Sequence, residues 1–439
     1  MARLPIGILN LIFFRNLAYQ LLIELPTFNV LGPILLPTFY LWIVDTIALK
    51  RGTWVIESGT KLNWHLWSGL DIEEAIFFLI TNVLVVFGLV AFDNAVTILQ
   101  TFPSLFSGQI TLPSPLMLIK ALLLPVREYD EERIDALTEA LGRLRSKSRS
   151  FYLASATFQG RIRIDLILLY SFCRVADDLV DEESCSEAAK AWIDKLRAYL
   201  DLRYSRPTAK TAITSDEFVM SSFPKSAQKT LRMLPTHVLS PGPLYELLNG
   251  FETDLAFSAA KPSFPIKDES DLDLYGARVA GTVAEACLEL VYHHCRATNS
   301  PPRQVQIQEC GRSMGIALQY INIARDIVVD ASNGRVYIPT SWLWEEDLDH
   351  AAILATRDGE KVEKLRQRLL ARAMVMYDEA KQAIEDLPAA ARAPMRVAVE
   401  SYVEIGRVLK EPSYTLKAGR ATVPKVRRLR VAWEALRKG

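Results

Sequence analysis

The pattern of apolar and polar residues divides the chain into two parts. Long apolar stretches with few charges follow one another up to about residue 125, whereas beyond it apolar residues recur every three to four positions. Prolines cluster between these periodic segments, and strand-like alternation is scarce. The pattern therefore predicts an all-α protein in which a small bundle of transmembrane helices, residues 1–125, precedes a helical domain, residues 126–439.

The apolar part holds one strong candidate for a transmembrane helix. Ala75–Phe92 runs for 18 residues without a charge, which is long enough to cross a bilayer core. Two weaker candidates, Leu4–Leu25 and Val30–Leu49, contain charged residues, and a fourth stretch, Ile110–Pro125, is broken by prolines and a lysine and is expected at the membrane interface. We expect a multi-pass membrane protein whose second part lies outside the bilayer, on the cytoplasmic side.

Three carboxylates, Asp71, Glu73 and Glu74, stand directly before the strongest apolar segment. Acidic residues favour the N-terminus of a helix through the macrodipole, which is a purely structural interpretation. A carboxylic acid at the lipid boundary is also hard to ionise and could protonate an apolar polyene. The residues alone leave both interpretations open.

Composition excludes several classes of protein. Lysine plus arginine and aspartate plus glutamate both number 51, so no net field attracts the chain to nucleic acid, and no nucleic-acid partner is expected. The five cysteines form no CxxC pair, which argues against a zinc site or a disulfide framework. The chain also lacks a Walker-type loop and a GxGxxG segment after a strand, so nucleotide hydrolysis and a Rossmann dehydrogenase are not expected.

The second part carries two copies of one acidic pattern. Asp177 and Asp181 are four residues apart, as are Asp326 and Asp330 later in the chain, so each pair lies on one helix face. Like charges at this spacing repel, and Asn322 adds an amide oxygen to the second face. Because Mg²⁺ prefers such oxygens and bridges to phosphates, two facing stripes could hold a diphosphate, although a solvated acidic helix end is the structural alternative.

Further residues beside the two stripes suit a diphosphate and a long apolar chain. Arg174, Arg325 and Arg335 could neutralise phosphate charge, or could pair with the neighbouring carboxylates. Lys147–Ser155 brings hydroxyls and cations before an apolar helix. The small side chains of Leu274–Glu285 could leave room for substrate or allow close helix packing.

Four segments in this order resemble the phytoene synthase branch of the squalene and phytoene synthase family: KSRSFYLAS, LYSFCRVADDLVD, LYGARVAGTVAE and QYINIARDIVVDASNGRVYIP. The resemblance covers about 300 residues and implies an all-α isoprenoid-synthase-type fold that binds prenyl diphosphate with Mg²⁺, or Mn²⁺ in its place. The metal ligands that it implies are Asp177, Asp181, Asn322, Asp326 and Asp330.

The same resemblance implies further residues of the site. The catalytic set comprises the four aspartates of the two stripes together with Arg174 and Tyr170. The substrate contacts that it implies are Ser148, Arg149, Ser150, Tyr152, Tyr275, Gln319 and Arg335.

Two segments of the apolar part, RGTWVIESGTKLNWHLW and DIEEAIFFLITNVLVVFGLVAFDNA, resemble the second half of the small-membrane-protein type of lycopene cyclase. That half precedes phytoene synthase in the fungal bifunctional lycopene cyclase/phytoene synthases. The fused family carries two such membrane repeats and this chain begins with about one, so the resemblance implies a partial lycopene cyclase with Glu73 and Glu74 as candidate acids.

The resemblance as a whole implies an enzyme of carotenoid biosynthesis. It would join two molecules of geranylgeranyl diphosphate head to head, through prephytoene diphosphate, to phytoene, without a nicotinamide cofactor. Membrane lipid and lycopene are the further expected partners. Two alternatives remain: a squalene-type synthase that uses farnesyl diphosphate and nicotinamide reduction, and a non-catalytic membrane assembly factor with the same fold.

Overall fold

The computed structural model describes residues 25–54, 59, 62–106, 113–183, 185–205, 214–257, 264–295, 299–356, 359–411, 414 and 423–438. The chain divides into two compact units, Met1–Asp130 and Glu131–Gly439. Each unit has a hydrophobic core of its own.

The first unit contains two long apolar helices. Its elements are α1 (Thr27–Lys50), β1 (His65–Trp67), β2 (Leu70–Asp71), α2 (Ile72–Thr101), α3 (Pro115–Leu122) and a 3₁₀ turn at Val126–Glu128. By length and composition, α1 and α2 are able to cross a membrane, with mean hydropathies of 1.6 and 2.6. They contain the predicted spans Val30–Leu49 and Ala75–Phe92. The predicted span Leu4–Leu25 lies, apart from its last residue, outside the described residues.

Polar side chains join α1 to α2. The amide of Asn82 donates to the hydroxyl of Thr38 at 3.0 Å, and the indole of Trp42 donates to the carbonyl of Ala75 at 2.9 Å. Such hydrogen bonds between apolar helices fix the position of one helix against the other.

A two-stranded hairpin precedes α2 and is a feature that the sequence analysis did not predict. Strand β1 pairs antiparallel with β2, and Gly69 takes a φ of +94° in the turn between them, a conformation that favours glycine. The indole of Trp67 ties the hairpin to α1 through the hydroxyl of Thr46, at 2.9 Å. Strands of two and three residues are too short to produce a detectable alternation in the sequence.

Helices are the only regular secondary structure among the described residues of the second unit, so the predicted all-α fold is confirmed. Its helices are α4 (Glu131–Lys147), α5 (Arg149–Ser155), α6 (Arg161–Asp181), α7 (Ser186–Tyr204), α8 (Ser215–Ser222), α9 (Lys225–Met233), α10 (Pro241–Leu255), α11 (Glu269–Gly276), α12 (Thr282–His294), α13 (Pro301–Ser332), α14 (Thr340–Glu345), α15 (His350–Thr356), α16 (Glu360–Ala380), α17 (Ala389–Leu409) and α18 (Lys425–Arg437). A π-helical segment, Ala277–Gly281, joins α11 to α12, and a 3₁₀ segment, Lys381–Asp386, follows α16.

Helix α13 is the central element of this unit. It is 32 residues long and packs against α12, α16, α17 and the π segment. Pro301 starts it at a position where a missing N–H costs nothing, and the chain turns at Gly334, whose φ is +75°. Its buried side chains, among them Tyr320, Ile321 and Ala324, belong to the largest hydrophobic core of the unit.

Glycines allow α13 to approach the π segment very closely. A Cβ at Gly315 would lie 2.6 Å from the carbonyl oxygen of Ala280, and a Cβ at Gly281 would lie 2.8 Å from Cγ of Arg312. Close helix packing therefore explains these glycines. For Gly281, this is one of the two interpretations that the sequence left open for the small-residue segment Leu274–Glu285. Because the obstacle at Gly315 is backbone, a side chain there cannot be accommodated by a rotamer change.

We expect Gly315→Ala to lower the free energy of unfolding by about 1–3 kcal/mol, because the added methyl group forces α13 and the π segment apart. Thermal denaturation of the detergent-solubilised chain measures the effect. The matched control is Gly142→Ala in α4, where a Cβ meets no atom within 4 Å. This control should be neutral or stabilising by roughly 0.5–1 kcal/mol, since alanine is the better helix former. Equal destabilisation by the two variants would contradict the close approach.

Candidate functional site

One cavity of about 560 Å³ lies inside the second unit. Its wall comes from α5, α6, α10, the π segment, α12, α13 and α17, with single residues from α4, α11 and α16. Along α6 the lining changes from Leu166 and Leu169 to Asp177 and Asp181, and along α13 it changes from apolar residues to Asp326 and Asp330 in the same direction of the chain. The cavity is therefore largely apolar and has acidic side chains where both helices end.

The two acidic stripes predicted from the sequence line this one cavity. Asp177 and Asp181 lie in the last turns of α6, and Asp326 and Asp330 lie in the last turns of α13. A helix C-terminus carries a partial negative charge, so neither helix offsets the charge of its own carboxylates. Tyr170, which was also predicted, lies on the same wall.

The three arginines of the site pair with its carboxylates. Arg174 contacts Asp177 at 2.8 Å, Arg325 contacts Asp326 at 2.8 Å, and Arg335 contacts Asp181 at 2.8 Å. Ion pairing with these carboxylates, one of the two roles expected for the arginines, is thus what the structure shows. The ion pair between Arg335 and Asp181 also joins the region after α13 to α6.

The turn after α13 directs Arg335 back to the cavity. Gly334 adopts the left-handed conformation, and the backbone N–H of Arg335 then donates to the carbonyl of Asp330 at 2.9 Å. Such a turn is disfavoured for a residue with a Cβ, so the glycine places a cation beside the acidic end of its own helix.

Burial and mutual repulsion raise the pKa of three aspartates in the cavity. Burial, and next the charge of Asp181, raises the pKa of Asp177 to about 7. Burial, and next the charge of Asp326, raises the pKa of Asp330 to about 8. Burial also raises the pKa of Asp254 to about 6. The ionised forms are therefore disfavoured in this environment, and a cation among them would lower all three pKa values.

The donor set of the cavity fits a hard cation. Five aspartates and three arginines line it within the described residues, so two negative charges remain when all are ionised. Their oxygens, with the amide oxygens of Gln319 and Asn322, are of the kind that Mg²⁺ prefers. Among the described residues, no three His, Cys, Asp or Glu side chains converge as a ready cage for one ion. This arrangement suits Mg²⁺, which is usually held by one or two carboxylates together with substrate phosphates.

Asp254 of α10 lies in the site but is not among the metal ligands that the resemblance implies. Its carboxylate accepts a hydrogen bond from the hydroxyl of Tyr337 at 2.7 Å and another from Tyr275. The rings of Tyr275 and Tyr337 stack with centroids 5.0 Å apart. Asp254 has no second carboxylate four residues away on the cavity face, so the pattern that revealed the two stripes could not reveal it.

A second cluster of polar side chains surrounds Asn322. Its amide oxygen accepts from the hydroxyl of Tyr402 on α17 at 2.6 Å, and its amide nitrogen donates to Gln319 at 3.0 Å. Tyr402 in turn stacks on Phe151 with centroids 4.9 Å apart. These contacts hold the predicted ligand Asn322 and the predicted substrate contact Gln319 in fixed positions on the cavity wall.

The predicted contacts of the segment before α6 do not line the cavity. Ser148 caps α5 by accepting from the N–H of Phe151, and Ser150 donates to the carbonyl of Ser401 at 3.1 Å. Neither Arg149 nor Tyr152 belongs to the lining, whereas Phe151 does. The roles of these four residues toward substrate therefore stay predictions, and the two serines have structural roles.

The candidate acids of the first unit lie in the first turn of α2. Glu73 accepts a hydrogen bond from the N–H of Leu62, and its other carboxylate oxygen is buried without a hydrogen-bond partner in the described part of the chain. Asp71 pairs with His65 of the hairpin at 2.7 Å. Glu74 shares the first helical turn, where the macrodipole favours a negative charge.

Comparison with known proteins identifies the second unit. The sequence profile of the squalene/phytoene synthase family matches residues 144–427, which include both acidic stripes, Asp254 and Arg335. The chain belongs to this family. The predictions of the family and of an enzyme are confirmed.

Curated relatives of this squalene/phytoene synthase resemble nearly the whole chain. The bifunctional lycopene cyclase/phytoene synthase of Phaeosphaeria nodorum is 54% identical over 96% of this chain and 72% of the relative. The protein of the same name from Neurospora crassa is 47% identical over 96% of this chain and 73% of the relative. The similarity therefore includes the first unit as well as the synthase unit.

Solved structures support the fold of the synthase. A dehydrosqualene synthase in complex with a ligand matches with a TM-score of 0.55 and 20% identity, over 70% of this chain and 96% of that one. The complex of TcSQS with BPH1237 matches with a TM-score of 0.52 and 17% identity, over 69% of this chain and 86% of that one. The isoprenoid-synthase-type fold expected from the sequence is confirmed.

We expect Tyr337→Phe to lower the free energy of unfolding by about 1–3 kcal/mol, because it removes a hydrogen-bond donor from the buried carboxylate of Asp254. The change is measured by chemical denaturation. Tyr245→Phe is the matched control, since Tyr245 donates to Asp201 at the exposed surface. The control should change stability by less than about 0.5 kcal/mol. A loss no larger than that of the control would refute the structural role of the Tyr337 hydroxyl.

Proposed function

We propose that the synthase unit joins two molecules of geranylgeranyl diphosphate head to head and releases phytoene. The observation that carries this proposal is the convergence of two acidic stripes, from α6 and α13, on one apolar cavity. The name and the identity of the Phaeosphaeria nodorum relative support phytoene as the product. The proposed domain assignment is a partial lycopene-cyclase-like unit over residues 1–125 and the synthase over residues 126–439.

The acidic end of the cavity is the proposed diphosphate site. Asp177, Asp181, Asn322, Asp326 and Asp330 would hold Mg²⁺, or Mn²⁺ in its place, together with the substrate phosphates. When bound there, Mg²⁺ supplies Lewis-acid neutralisation of the charge that develops on a departing diphosphate. Arg174 and Arg335 already sit among these carboxylates and would turn to phosphate oxygens as substrate enters.

The apolar wall is the proposed site of the prenyl chains. Departure of diphosphate from one substrate would leave an allylic cation, which a double bond of the other would attack. Loss of a proton would then close the cyclopropane ring of prephytoene diphosphate. Departure of the second diphosphate in the same cavity, with rearrangement and loss of a second proton, would give phytoene. Leu169, Val279, Val283 and Met314 line the cavity and offer the cations no oxygen nucleophile. The role of this wall is to exclude water, which would otherwise trap each cation as an alcohol. No nicotinamide enters this sequence of steps.

The first unit is the proposed membrane part of the enzyme. Helices α1 and α2 have the length and composition to cross a bilayer, which supports the placement of this unit in a membrane. The proposed topology is multi-pass, with the synthase outside the bilayer on the cytoplasmic side. Lycopene is its proposed substrate, since the curated relatives that match this unit are named lycopene cyclases as well as phytoene synthases. Glu73 and Glu74 are the proposed acids.

We expect Asp177→Ala and Asp326→Ala each to reduce phytoene formation by roughly 100-fold or more, because each removes a group that holds the diphosphate-neutralising charge. The assay incubates the reconstituted chain with geranylgeranyl diphosphate and Mg²⁺ and extracts the C40 product. Asp194→Ala, which removes an exposed carboxylate of α7, is the matched control and should retain parental turnover. Chelation should abolish the activity, and NADPH should not change the product.

Other products would redirect the assignment. A reduced C30 hydrocarbon from farnesyl diphosphate and NADPH would replace phytoene synthesis by squalene-type synthesis. Bound substrate without any product would favour a non-catalytic assembly factor.

We expect Glu73→Gln and Glu74→Gln to lower the cyclisation of added lycopene while phytoene synthesis stays at the parental rate, because the amide cannot supply a proton. β-Ring products are measured by chromatography. Glu128→Gln, at an exposed position of the same unit, is the control. A parent chain that leaves lycopene unchanged would restrict the proposed function to the synthase.

A further inference from the structure

Helix α18 carries an unusual concentration of exposed apolar side chains. Val426, Leu429, Trp433 and Leu436 are exposed by 80%, 49%, 61% and 39%. From Glu131 onward, the described part of the chain leaves eleven large apolar side chains exposed, and four of them lie on this 13-residue helix. Single exposed apolar residues are normal, but a cluster of this kind marks an interaction surface.

These four side chains form one stripe on the outer face of α18. Their spacing of three, four and three residues places them within a quarter-turn of one another around the helix axis. A different face is buried, with Ala432 and Ala435 in the protein interior. The apolar stripe is therefore not the face that packs on the synthase unit.

The inner face of α18 is firmly attached. Arg396 of α17 donates to the carbonyl of Ala435 at 3.1 Å, and Arg427 pairs with Glu404 and Glu411. Helix α18 thus presents its outer stripe on a fixed support, and the stripe does not need to rearrange in order to bind.

The helix that carries the stripe has a net positive charge. Lys425–Lys438 contains six basic residues and one acidic residue, Glu434, which pairs with Arg430 at 2.8 Å. Lys425 flanks the stripe on one side, and Arg430 and Arg437 flank it on the other. An apolar stripe containing tryptophan and bordered by cations is typical of helices that lie in the plane of an anionic membrane surface.

From these observations we infer that α18 docks the synthase unit on the surface of an anionic lipid bilayer, with Val426, Leu429, Trp433 and Leu436 at the level of the headgroups. A helix of 13 residues is about 20 Å long, too short to cross the bilayer, so it lies along the surface. A second copy of the chain is disfavoured as the occupant, because a symmetric contact would bring the flanking cations of both copies together.

Helix α18 places the docking surface close to the cavity of the synthase unit. Its support, α17, lines the cavity with Ala398, Val399 and Tyr402 and packs against α18. The docked surface therefore lies behind one wall of the cavity that would hold an apolar product. The docking itself does not depend on the identity of that product.

The test places an environment-sensitive fluorophore on the stripe of the full chain. Trp433→Cys is labelled with a nitrobenzoxadiazole probe in a Cys185→Ser background, which removes the exposed native thiol. Leu429→Cys is a second position on the stripe, and Glu434→Cys, on the polar side of the same helix, is the matched control. Thermal denaturation and prenyl-diphosphate turnover in detergent establish that each labelled chain is folded.

In vesicles of phosphatidylcholine and phosphatidylserine, we expect probes at 429 and 433 to shift to the blue and to be quenched by lipids with a doxyl group near the headgroup. The probe at 434 should show neither effect. Omitting phosphatidylserine or adding salt should reverse the shift, and Arg430→Gln and Arg437→Gln should each weaken docking roughly fivefold.

Three outcomes overturn the inference. Probes at 429 and 433 that behave like the probe at 434 would show that the stripe faces water. A blue shift without quenching by the doxyl lipids would show that protein covers the stripe, either a second copy or the other unit. Quenching that is indifferent to phosphatidylserine and to salt would exclude an anionic surface as the partner.

Discussion

The structure of the synthase depends on how the negative charges of five aspartates around one apolar cavity are offset. Their burial raises the pKa of Asp177, Asp254 and Asp330, which is the electrostatic cost of bringing them together. Three arginines and the hydroxyls of two tyrosines offset part of that cost through direct contacts. The remaining negative charge is what makes the cavity suited to a cation and a diphosphate, since the protein alone does not neutralise it.

Close helix packing brings these charges into one place. Helix α13 approaches the π segment so closely that Gly315 has room for no side chain, and this approach sets the distance between the helices that form two sides of the cavity. The turn at Gly334 then returns Arg335 to the carboxylate of Asp181 on α6. Backbone geometry at two glycines thus determines where the acidic and basic side chains meet.

The sequence predicted the two stripes because each is local. A pair of carboxylates four residues apart must share a helix face, so Asp177 with Asp181, and Asp326 with Asp330, could be assigned from spacing alone. The roles of the arginines were left open, because pairing with a carboxylate depends on the orientation of side chains across helices. For the same reason, Asp254 was not assigned to the metal ligands, and Ser148 and Ser150 prove to make structural bonds.

By itself, the sequence determined the all-α class, the apolar first part with the spans of α1 and α2, and the acidic stripes, because each follows from periodicity or composition within a single segment. Only the tertiary structure decided that both stripes share a cavity with Asp254 and Tyr337, and that the hairpin before α2 exists. It also decided that the apolar stripe of α18 faces outward. These features depend on contacts between residues far apart in the chain, and no local pattern specifies which face of a helix its neighbours will cover.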